Sequence, residues 1–155
     1  MENLFRYPFD TDKNEIKEAH PTGFFAHENY LQSKYARDFI LPLGSRVLAA
    51  KKGVVVKAKH DSDGCYSGDL SGLSKEEIET LVFNYINAVA IKHENNIFTE
   101  YVHLSNKKVV SEGQEVKESE LIGFTGRSGV MDKTNHLHFN AFTEKGLSIP
   151  VSFKK

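Results

Sequence analysis

Apolar and polar positions change period several times along the chain. Residues 1–23 carry Pro8 and Pro21 and sustain neither a period of 2 nor one of 3.6, which predicts an irregular arm ahead of a domain over 24–155. Tyr35 to Ile40 predicts a strand. After the turn residues Pro42 and Gly44 come two more, Arg46 to Ala50 and Val54 to Ala58, punctuated by Gly53. Asp61 to Gly72 holds three Gly, three Asp and three Ser among twelve residues, the composition of a loop. Ser74 with Glu77 forms a capping box, and Ile78, Leu81, Val82 and Tyr85 follow at helical spacing, predicting one short helix. Strand patterns then return at Ala88 to Lys92, Phe98 to His103, Glu120 to Phe124 and His136 to Phe142. The expected fold is all-β with one minor helix. Gly44-Ser-Arg-Val47 and Gly113-Gln-Glu-Val116 each precede a further strand at a similar distance, an echo compatible with a duplicated hairpin sandwich.

A chain of 155 residues can bury a core without disulfides. Lys and Arg total 20 against 21 Asp and Glu, so the net charge of -1 leaves no footprint for nucleic acid or an anionic membrane. Cys65 is the sole cysteine, which excludes an intramolecular disulfide and a Cys-rich zinc cluster; a metal site must draw on His and carboxylates. No apolar run reaches the length of a membrane span, and Met1-Glu2-Asn3-Leu4-Phe5-Arg6 lacks the layout of a signal peptide.

Three features carry chemistry. His136-Leu137-His138 lies in a predicted strand, where side chains two apart share a face about 7 Å apart along the backbone. One imidazole can bind a metal while the other acts as a base; the plainer alternative is a solvated strand face. His103, in Tyr101-Val-His-Leu104, ends a predicted strand among apolar neighbours, where a hydrogen-bonded core histidine is the plain alternative. Asp38 interrupts the otherwise buried run Tyr35, Ala36, Phe39, Ile40, Leu41, and a carboxylate there requires a cation, either a metal or a distant Lys or Arg. His60 and His93 fall at strand ends and read as exposed or structural.

These residues and their punctuation resemble the lysostaphin/LytM-type zinc endopeptidases. The matching blocks, in order, are Tyr35-Ala-Arg-Asp-Phe-Ile-Leu-Pro-Leu-Gly44, Val47-Leu-Ala-Ala-Lys-Lys-Gly-Val-Val55, Val89-Ala-Ile-Lys-His93 and Thr99-Glu-Tyr-Val-His-Leu104, followed by Val110-Ser-Glu-Gly-Gln-Glu-Val116, Leu121-Ile-Gly-Phe-Thr-Gly-Arg-Ser-Gly129 and His136-Leu-His-Phe139. The resemblance covers nearly everything from Phe24 onward. It implies a duplicated hybrid fold with a loop-lined groove, one Zn2+, and hydrolysis of peptide bonds in peptidoglycan within the cell envelope. It also implies zinc ligation by His138 and Asp38, catalysis by His136, and an assisting role for His103.

One departure stands out, because the family's usual first ligand, a histidine four residues before the aspartate, is Lys34 here. Lysine is not a plausible zinc ligand at neutral pH. Family members with a Tyr-Ala-x-Asp-Phe strand carry a histidine further upstream, which points to His27, with His20 in reserve. The stretch 61–73 and its helix replace what is usually a short connection and are expected to wall the substrate groove. The rival reading is a catalytically degenerate cell-wall-binding or regulatory module. A zinc hydrolase of another type is disfavoured by the lack of His-Glu-x-x-His.

Overall fold

The computed structural model describes residues 4–19, 33–62, 71–128 and 135–154. Strands are numbered in chain order. The main sheet has seven strands in the order β2 (Glu18–Ala19), β3 (Arg37–Ile40), β10 (His136–Thr143), β7 (Ile97–Val102), β6 (Ala88–Lys92), β5 (Gly53–Lys59) and β8 (Glu115–Val116). Every pairing within it is antiparallel. A separate antiparallel pair joins β4 (Arg46–Leu48) to β9 (Leu121–Phe124), and a parallel pair joins β1 (Leu4–Arg6) to β11 (Ser152–Lys154). The architecture is the β-rich, mostly antiparallel one expected, with a single α-helix, α1 (Lys75–Asn84), among the described residues. None of the described helices is long and apolar enough to cross a membrane.

Period-two alternation explains why β10 holds the centre. Its Leu137, Phe139 and Ala141 enter the hydrophobic core with Phe39 of β3 and Tyr101 of β7. His136, His138 and Asn140 therefore face the other side of the sheet. The register places Asp38 and Val102 on either side of His138, so the histidine-bearing face of three adjacent strands is shared.

The capping box at the start of α1 forms as the sequence predicts. Glu77 N–H donates to Ser74 Oγ at 3.1 Å, and Ser74 N–H donates to the Glu77 carboxylate at 3.3 Å. Gly44 and Gly113, the first residues of the two echoing segments, both adopt positive φ, +80° and +89°. Each thus turns the chain into its following strand in a conformation that costs other residues more.

The described part of the N-terminal arm differs from the irregular segment predicted. Phe5 and Phe9 are fully buried in the common core, and the Tyr7 ring stacks on Phe153 with centroids 4.6 Å apart. Backbone bonds lock the arm down: Arg6 N–H donates to Ala50 O at 3.1 Å, and Leu48 N–H donates to Pro8 O at 2.9 Å. Phe5, Tyr7 and Phe9 do alternate at period two, but a three-residue strand ending near a proline is too short for that signal to stand out.

Candidate active site

Asp38, His138 and His103 come from β3, β10 and the residue just past β7, so backbone pairing sets their spacing. Asp38 is only 2% exposed, and its Oδ1 lies 2.9 Å from His138 Nδ1. Burial pulls the His138 imidazole down, but the hydrogen bond and charge of Asp38, helped by Glu100, outweigh it and raise its pKa above the ordinary histidine range. A proton on Nδ1 thus joins two groups that would both donate to a cation. Asn140 extends this face: its side-chain NH2 donates to the Glu100 carboxylate at 3.3 Å, and its carbonyl accepts from Ser148 Oγ at 2.8 Å.

His103 closes the cluster. Its ring centroid lies 4.8 Å from that of His136 and 5.9 Å from that of His138, both edge-on. Its φ is +71°, a left-handed conformation that costs a non-glycine residue on the order of 1–3 kcal/mol and tends to mark functional positions. Nδ1 donates to the backbone carbonyl of Ser128 at 2.7 Å, which leaves Nε2 without a proton in the neutral ring. Burial, reinforced by the nearby His138 and His136, pushes the His103 pKa down to about 3. At neutral pH it is an uncharged acceptor.

Four of the five site residues read from the sequence are thus gathered on one face: Asp38, His103, His136 and His138. His27 lies outside the described residues, as do His20 and residues 63–70 of the expected groove wall. Lys34 is exposed, its ammonium 5.3 Å from the centre of the Tyr35 ring. Among the described residues, no group of three or more His, Cys, Asp or Glu is arranged to hold a metal. The donor chemistry fits zinc as far as it goes, one imidazole nitrogen and one carboxylate oxygen on neighbouring strands, and a catalytic zinc takes a third protein ligand.

Two further residues gain definite roles in the structure. His93 is buried, not exposed: Nδ1 donates to Lys52 O and Nε2 accepts from Thr99 Oγ1, both at 2.7 Å, so of the two roles allowed it the structural one holds. Ser128, inside a matched block but given no role, contacts His103 directly. A cavity of about 400 Å³ runs beside that contact, with Leu43, Leu104, Ser105, Arg127 and Ser128 in its wall. A larger one, about 660 Å³, lies at the far end of the sheet around Gly53, His93 and Val116, away from the cluster.

Residues 32–149 match Peptidase family M23. The peptidoglycan DD-endopeptidase ShyA of Vibrio cholerae is 28% identical over 134 residues, 86% of this chain and 26% of ShyA. The chain spans about a quarter of that relative's length. Among solved structures, a zinc-containing peptidase from Vibrio cholerae superposes with a TM-score of 0.60 at 23% identity, covering 96% of this chain and 39% of that one. The catalytic domain of lysostaphin from Staphylococcus simulans gives the same TM-score at 21% identity, covering 92% and 94%.

Proposed function

The chain belongs to Peptidase family M23, and we propose that it is a zinc-dependent endopeptidase acting on the stem peptides or cross-bridges of peptidoglycan in the cell envelope. The observation that carries this reading is the convergence of Asp38, His138, His136 and His103 on one face of three adjacent strands. The name of ShyA as a peptidoglycan endopeptidase supports the substrate class.

In this reading Asp38 and His138 hold the zinc with His27. A zinc ion held there would supply Lewis acidity toward a scissile carbonyl and its attacking water. The residues of the chain do the rest. The His103 ring lies edge-on to both His136 and His138, and its unprotonated Nε2 can accept a hydrogen bond from the attacking water while His136 takes that water's proton and returns it to the leaving amine. The Ser128 carbonyl prevents that ring from turning its protonated nitrogen inward. Burial of His136, 6% exposed, limits competing solvent.

The alternative, a degenerate module that binds cell wall without cutting it, draws on Lys34, which stands where the family usually has a histidine and is exposed, its ammonium over the Tyr35 ring. Digestion of purified sacculi separates the two. The peptidase releases new amino termini, and a chelator stops it. Release of sugar reducing ends, or cleavage that a chelator leaves untouched, would refute the proposal.

A further inference from the structure

The Ser128–His103 contact is one end of a buried hydrogen-bond chain. Ser128 is 3% exposed and Asn87 fully buried. The Ser128 hydroxyl donates to Leu104 O at 2.7 Å and accepts from Asn87 N–H at 2.9 Å, while Leu104 N–H donates to Asn87 O at 3.1 Å. Asn87 uses its side-chain amide on the other side: Nδ2 donates to Ser62 O at 2.8 Å, and Oδ1 accepts from Ser62 N–H at 3.0 Å. Gly126 N–H donates to His103 O at 2.9 Å, so the segment carrying Ser128 grips His103 by both backbone and ring.

We propose that Ser128 is the positioning residue of His103. Its carbonyl selects the tautomer of the ring and its hydroxyl anchors the left-handed His103–Leu104 turn to Asn87, which in turn clasps Ser62 at the base of the excursion between β5 and β6. The physical need is plain. A left-handed histidine is held against its own backbone preference, and an imidazole free to rotate would offer Nδ1–H to the site half the time. The carbonyl of Ser128 removes the second freedom. The two bonds of its hydroxyl both hold that carbonyl against the ring and oppose relaxation of the first, so loss of the hydroxyl loosens the ring even though the carbonyl itself remains. No bond to substrate is required of Ser128. The proposal rests on the peptidase reading for its kinetic part, while the ring tautomer can be read without activity.

The test uses the whole chain with Ser128→Ala, Ser128→Cys and His103→Ala, alone and combined. Ring-nitrogen NMR on metal-free protein should find His103 of the wild type as the Nδ1–H tautomer and Ser128→Ala as a mixture. On cross-linked muropeptides, Ser128→Ala should lower kcat by about tenfold to a hundredfold, as small misplacements do, with KM within about twofold and zinc content unchanged. In the His103→Ala background the same change should cost nothing further, because Ser128 acts through the ring. Ser128→Cys keeps a side-chain donor, bulkier and weaker than the hydroxyl, and should fall between; it replaces Ser128→Ala in every comparison if that variant does not fold. An unmixed tautomer in the variants would overturn the proposal, as would an equal loss of kcat with and without His103. A wild-type chain that cleaves nothing would instead refute the peptidase reading, leaving the NMR result to decide the contact.

Discussion

Truncating Phe9 to alanine asks whether the N-terminal arm is part of the fold that holds the site. Phe9 is fully buried, its ring 5.2 Å from that of Phe39 and 5.7 Å from that of Tyr7, and Phe39 is the neighbour of Asp38 in β3. Removing a buried phenyl ring forfeits its transfer free energy and leaves a cavity, together about 3–5 kcal/mol. Against a total stability of roughly 5–15 kcal/mol this is a large fraction. At about 2–4 °C per kcal/mol for a chain of this size, the melting midpoint should fall by about 6–20 °C. Urea unfolding at constant m, checked by calorimetry, measures it, and zinc content should persist well below the new midpoint because Asp38 faces away from the cavity. A loss below about 1 kcal/mol would mean that the arm packs only loosely and would refute the reasoning.

Separable phenotypes are expected at the histidines: His138→Ala should lose zinc by metal analysis, whereas His136→Ala and His103→Ala should keep it and lose about a hundredfold or more in turnover. Should His136→Ala empty the site while His138→Ala leaves it filled, the roles are reversed. His27→Ala should weaken zinc binding by orders of magnitude in a competition titration, and His20→Ala should not; full zinc in His27→Ala refutes the assignment. Burial lowers the pKa of His93 below its usual 6.5, with Lys51 contributing in the same direction against the opposing bond to Lys52. The unfolded chain therefore takes up the extra proton first, so this contribution to stability is intact above about pH 6.5 and declines as pH falls below it, by at most about 1.4 kcal/mol per pH unit for one proton. His93→Gln should flatten that acid slope in denaturant unfolding; an unchanged slope assigns it to other groups.

Local rules made much of the site legible. Parity along a strand put His136 and His138 on one face, and a carboxylate inside an apolar run marked Asp38 as needing a cation; in the fold the two signals meet at a 2.9 Å contact. His103 was readable as a strand end but not as a left-handed residue, because φ +71° is imposed by bonds to Ser128 and Gly126, more than twenty positions away. The same distance hid Ser128 and Asn87, polar residues whose value lies wholly in whom they meet. His93 pairs with a backbone carbonyl 41 residues off, which no local pattern signals. Strand β11 and the arm strand β1 are each three residues long and exist through their mutual pairing, so neither has a period of its own to read.

The central claim is that this chain cleaves peptide bonds with one zinc held by Asp38, His138 and His27. The most direct measurement titrates metal-free protein with zinc while counting amino termini released from sacculi. The account predicts a rate that climbs to a plateau at one zinc per chain and that Asp38→Ala never reaches. Cleavage at full rate before any zinc is added, or one equivalent bound without any cleavage, would contradict it.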